Sequence, residues 1–107
     1  MTIEQTEKVD LISVDPRTDE VVMTISDHLD WNEKDTHLLL LQEKINSYLA
    51  FIESGEIFDS YPKAKGRSVV IDIVFQHEVD PEGRNFIEMA TEIVANAGFR
   101  LTARTLG

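Results

Sequence analysis

The residues whose types and spacing could do chemistry gather in one short stretch, Ser26-Asp27-His28-Leu29-Asp30-Trp31, with His37 one helical turn beyond Glu33. Carboxylate and imidazole groups at such short spacing are the ligands a divalent cation takes, and the same groups could serve a small enzyme. The spacing itself argues against a metal site. Asp27 and His28 are neighbours, and neighbouring side chains on an extended chain leave by opposite faces. A metal site also calls for a second cluster, whereas His77 stands far along the chain on a different strand. Asp and Asn are common at helix entries for capping alone. No metal and no cofactor is therefore expected. Asp27, His28, Asp30 and His37 stand as the members of one alternative function, a small enzyme or metal-dependent binder centred on the loop around His28.

Other catalytic arrangements find less support. Serines occur at positions 13, 26, 47, 54, 60 and 68, but none sits in a glycine-flanked nucleophile elbow. The chain has no cysteine, which removes thiol nucleophiles, thiolate metal sites and disulfides together. Twenty acidic residues make any single carboxylate pair uninformative. Lys63-Ala64-Lys65-Gly66-Arg67 is a basic knot that could grip a phosphate or carboxylate, yet it lacks phosphate-loop spacing and leads into a strand rather than a helix. It reads as a solvated turn.

Charge bounds the partners. Twenty acids against ten bases give a formal charge of −10 over 107 residues, and the imbalance is densest between Asp15 and Asp35. Such a surface repels phosphate backbones and anionic lipid alike, so no nucleic acid and no membrane is expected as a partner, whereas basic proteins are allowed. Solubility alone would also account for the charge. The first residues are polar and acidic with no apolar signal region. The longest unbroken apolar run, Tyr48–Ile52, is far short of a bilayer span. A cytoplasmic location is expected, and the 42% apolar content suits one folded domain over residues 1–107.

The elements that must position these residues follow from periodicity. Val9–Val14 and Glu20–Ser26 read as strands joined through Asp15-Pro16-Arg17-Thr18-Asp19, where proline and aspartate favour a turn. In the first strand either Val9 and Leu11 or Ile12 and Val14 could point inward. Glu33–Ser54 reads as a long helix entered at Asp30 or Asn32, with Leu38, Leu41, Ile45, Tyr48, Leu49 and Ile52 on one stripe and Gly55 at its end. Leu40 and Phe51 lie off that stripe. The connection 56–67, carrying Ile57, Phe58 and Tyr61, is expected to fold back over the helix near them as an ordered flap, a subunit interface being the rival account.

Ser68–Val79 and Phe99–Leu106 read as strands flanking a helix, Pro81–Ala97. That helix is capped by Asp80 and carries a stripe of Phe86, Ile87, Ala90, Ile93, Val94 and Ala97. A strand–helix–strand unit of this length implies a right-handed crossover between parallel strands. The order ββαβαβ predicts an α+β two-layer sandwich, a four-stranded mixed sheet with two helices on one face.

If both helices cover one face, the other displays Val22, Thr24, Val70, Asp72, Val74, Arg100, Thr102 and Arg104. β-Branched residues mixed with arginine and a central aspartate suit a partner surface. The competing account is that Val and Thr are good strand formers and that Asp72 pairs an arginine across strands.

The run Ile25-Ser26-Asp27-His28-Leu29-Asp30-Trp31, the stretch Leu38 to Gly55 and the pair Tyr61-Pro62 resemble a family of small bacterial proteins, a domain of unknown function. The resemblance implies a single domain of bacterial origin and brings no catalytic residues. The expected function is a non-enzymatic interaction protein that binds a protein partner or itself, as a homodimer. An acidic immunity-type protein that neutralises a basic toxin is one form of it.

Overall fold

Successive side chains of a strand leave by opposite faces, and in β2 this sorts buried from partly exposed residues one by one. The computed structural model describes residues 11–106. Val9 and Asp10, expected to open the first strand, lie outside the described residues. The order is β1 (Leu11–Val14), β2 (Val21–Asp27), α1 (Lys34–Glu53), α2 (Glu56–Ser60), a 3-10 turn (Pro62–Ala64), β3 (Val69–Phe75), α3 (Pro81–Asn96) and β4 (Arg100–Thr105). The strands lie in the order β1-β2-β3-β4, with β1 antiparallel to β2 and the pairs β2–β3 and β3–β4 parallel. Both crossovers step the same way across the sheet, so two right-handed connections put α1 and α3 on one face. This is the expected α+β two-layer arrangement, with one additional short helix.

The register resolves the first strand. Ile12 and Val14 stand opposite Met23 and Val21 on the helix-facing side, while Leu11 stands opposite Thr24 on the other and is 45% exposed. The core is built from cross-strand rows. Ile12, Met23, Ile71 and Leu101 form one, and Ile25, Ile73 and Ala103 another. Leu41, Ile45, Tyr48, Leu49 and Ile52 of α1 close over them, with Ala90 and Val94 of α3. Ala103 is exposed although it lies in a core row, because β4 is an edge strand. The β1–β2 turn is held by the Asp15 carboxylate, which accepts from the Arg17 amide at 2.8 Å, and by the left-handed backbone of Asp19 at φ 64°. The Arg67 guanidinium grips the Asp19 carboxylate, so one member of the basic knot has a structural task.

The helices differ from expectation in ways that bear on function. The α1 N-cap is Glu33, without a side-chain cap bond, because the Asp30 carboxylate instead accepts from the Asn32 amide at 3.1 Å. The 56–67 connection is ordered as α2 and the 3-10 turn, but only part of the flap is buried. Ile57 is fully enclosed and Tyr61 half-buried, whereas Phe58 is exposed, contrary to expectation. Successive residues of a helix diverge by about 100°, so Ile57 and Phe58 cannot share one face. On α3, Asp80 caps as expected, accepting from the Gly83 amide at 2.8 Å. Ile93 and Ala97, placed on its inward stripe by periodicity, are exposed, because that stripe is wider than the contact α3 makes with the sheet.

Candidate functional site

The residues singled out for chemistry separate into a buried pair and an exposed remainder. Asp27 is the last residue of β2, on the helix-facing side opposite Phe75. His37 lies in the first turns of α1, and the connection between them turns back through Asp30 and Trp31. His37 Nε2 lies 2.5 Å from Asp27 Oδ2, and both side chains are all but sealed, with His37 only 1% exposed. His37 Nδ1 lies 2.9 Å from the Asp30 carbonyl oxygen. A carbonyl can only accept, so Nδ1 carries a hydrogen and donates. One proton is then left to lie between Nε2 and the Asp27 carboxylate. The other Asp27 oxygen accepts from the Leu29 amide at 3.1 Å. Burial pushes the Asp27 carboxyl above its ordinary range, against the opposing pull of the His37 hydrogen bond and charge.

Trp31 seals this pair. Its ring stacks on His37 with centroids 3.8 Å apart and an interplanar angle of 23°. The outer edge of its six-membered ring meets α3 at Gly83, where an added Cβ would fall 2.8 Å from the Trp31 ring and 2.6 Å from Val79 Cγ1. The Trp31 indole N–H is buried with no hydrogen-bond partner among the described residues. Lys34 fastens the same corner from outside, 3.2 Å from Glu82 and 3.6 Å from Asp80, and the Glu82 hydrogen bond raises its ammonium above the ordinary value. An imidazole–carboxylate pair acts as a general acid or base only when it reaches a substrate proton. Here the pair is sealed and joins β2 to α1, and Trp31, stacked on His37, carries the contact on to α3 at Gly83.

His28, the proposed centre of the alternative site, is exposed and lies close enough for its charge to pull on the Asp27 carboxyl, and the Asp30 side chain is exposed as well. Among the described residues, no group of three or more histidines and carboxylates is placed to hold a metal ion. Three participants escaped sequence reasoning. Trp31 carried no signal beyond its type. Gly83 did, since a glycine in the first turn of a helix marks close approach by another element. Lys44 is fully buried on the α1 stripe with its ammonium 5.5 Å from the Tyr48 ring centroid, a placement that a stripe of apolar residues does not suggest.

The second candidate set comes together. All of its members fall, in three cross-strand rows, on the side of the sheet that no element among the described residues covers. The first is Val22, Val70 and Arg100, the second Thr24, Asp72 and Thr102, and the third Val74 and Arg104. All but Val74 line one hollow of about 700 Å³, rimmed by the β1–β2 turn at Asp15, Pro16, Arg17 and Thr18. Its charges are fixed by internal partners. Asp72 accepts from Thr102 Oγ1 at 2.9 Å and pairs Arg104 at 3.2 Å, and Arg100 pairs Glu20 at 2.9 Å. Val70 is the one member withdrawn from the surface, 3% exposed. It lies on the inner strand β3, near the level where the Glu20–Arg100 pair spans from the residue before β2 to β4, and serves as the floor.

The chain belongs to a family of unknown function (DUF6572), whose model matches residues 1–107. No curated protein and no solved structure matches it. Among the described residues, no helix is long and apolar enough to cross a membrane.

Proposed function

We propose that this protein works by association rather than by catalysis, and that the uncovered sheet face is where two copies meet. The observation that carries this reading is the hollow face of three rows, in which both signs of charge stand fixed around an apolar floor of Val22 and Val70. A two-fold interface places a surface against itself, so a face holding both arginines and acids can complement its own copy where a single-sign face cannot. Fixed side chains lose little freedom on binding, which lowers the entropic cost of association. The cytoplasm is its inferred location, in keeping with a chain free of cysteine.

The test is sedimentation of the full chain at micromolar concentration and physiological salt. A concentration-dependent dimer is expected. Leu11→Asp, on the uncovered face at an exposed position, should weaken it, whereas Ile93→Asp, on the opposite side of the molecule, should not. A monomer throughout, or a dimer indifferent to Leu11→Asp, overturns the reading.

A further inference from the structure

The opposite layer carries a different kind of surface. Both crossover helices run antiparallel to the parallel strands, so α1 and α3 lie side by side with their N-termini at one end, joined there by Lys34 and Glu82. Beyond that joint they part, leaving a groove of about 260 Å³ walled by Ile45 and Leu49 of α1 and by Phe86, Met89 and Ile93 of α3. Met89 is 63% exposed and Ile93 59% exposed. They stand four residues apart, one above the other along the groove. Large aliphatic side chains set in a row beside a cleft are an unusual use of an exposed helix face.

The charge beside this groove has one sign. The exposed charged side chains of α1 are Asp35, Glu43 and Glu53. Those of α3 are Glu82 and Glu92, together with Arg84 and Glu88, which lie side by side near Glu78 on the side of α3 away from the groove. Lys34 is half-buried and already tied to Asp80 and Glu82, and Lys44 is buried. A second copy of this chain would bring the same acids against these, so the groove is unsuited to self-association. We propose that the groove between α1 and α3 docks a basic amphipathic helix of another protein, its apolar stripe between Met89, Ile93 and Leu49 and its lysines or arginines against the flanking carboxylates. This is the helix-in-groove mode of recognition, with affinity from the apolar anchors and orientation from the charges. It uses the layer opposite the sheet face and stands independently of the dimer.

The probe is a synthetic helix-forming peptide of leucine and lysine with all leucines on one face, titrated into the full chain and followed by fluorescence anisotropy. Its controls are a peptide of the same composition with the stripe scrambled, and one with glutamate in place of lysine. Saturable binding is expected for the striped basic peptide, at least about tenfold tighter than for either control, as for loss of a buried anchor or of charge complementarity. Ile93→Asp is the decisive variant, because it adds negative charge while removing an anchor. Groove docking predicts weakening by about tenfold, whereas mere attraction between opposite charges predicts tightening. Met89→Asp, at a second exposed position, repeats the test with a separate protein, and Leu11→Asp on the sheet face should leave binding unchanged. Equal binding of striped and scrambled peptides, or tighter binding by both aspartate variants, overturns the proposal. So does a dimer of the free chain that Ile93→Asp dissolves, since a second copy would then be the occupant.

Discussion

His37 and Asp27 carry the sharpest expectations at the scale of single residues. Replacing His37 by alanine strands a buried carboxylate, which typically costs about 3–5 kcal/mol. Asp27→Asn is different. Its amide N–H can donate to His37 Nε2 while its oxygen still accepts from Leu29, so every hydrogen bond survives with a neutral imidazole, and a loss within about 1 kcal/mol is expected. Urea unfolding of both variants at neutral pH checks the contrast, and equal losses would contradict the shared-proton reading. Acidity supplies a second test. Burial raises the Asp27 carboxyl above its ordinary 3.8, so the folded chain holds that proton more tightly than the unfolded chain. The resulting stabilisation is full below 3.8 and is lost as pH rises through the elevated value. Asparagine has nothing to titrate, so the stability of the wild type relative to Asp27→Asn should decline as pH is raised across that window. A flat difference, or one that grows with pH, would show that the group is not raised.

Between elements, the joint at Trp31 is what ties the second crossover to the first. Gly83 lies in the first turn of α3, where alanine would ordinarily stabilise the helix by about 1 kcal/mol. Here a methyl group would sit 2.6 Å from Val79 and 2.8 Å from Trp31. Overpacking of this kind typically costs about 1–3 kcal/mol, so Gly83→Ala should destabilise the chain despite its better propensity. The near-ultraviolet circular dichroism of Trp31, the only tryptophan, should change with it. A stabilised variant with an unchanged Trp31 spectrum would mean that the close approach does not exist in solution. The same scale explains why α2 divides the expected flap. A short helix can turn only one of Ile57 and Phe58 inward, and Ile57 takes that place.

The whole molecule is two layers with two unlike faces, and salt distinguishes them. Two copies carrying −10 each repel over a distance set by the ionic atmosphere, while contact between apolar side chains is short-ranged and unscreened. Self-association through the sheet face should therefore strengthen between low and physiological salt. Docking of a basic helix on the acidic layer should weaken over the same range, since salt screens an attraction there. Sedimentation and peptide titration in one salt series would reveal the opposed trends. A dimer that weakens with salt would mean that attraction between charges, rather than apolar contact, holds the copies together. If both associations hold, a dimer presents two acidic grooves on its outer sides, and a partner with two basic helices would gain from engaging both.

Periodicity along the chain was enough to determine the order of the four strands and two long helices, the parallel crossovers and the layer in which those helices lie, because burial on a strand or helix repeats with a fixed period. It also placed Val22, Thr24, Val70, Asp72, Val74, Arg100, Thr102 and Arg104 on one face, since alternate residues of a strand share a side whatever the strand order. Only the tertiary structure decided that Asp27 and His37 meet, because their contact depends on how the chain turns back through Asp30 and Trp31 between β2 and α1. Only it decided that Val70 becomes a floor, that Phe58 faces outward and that Ile93 lines a groove. Each of those outcomes is set by the distance between neighbouring elements, and that distance is fixed by side chains remote in sequence, such as Gly83 against Trp31, rather than by any local pattern.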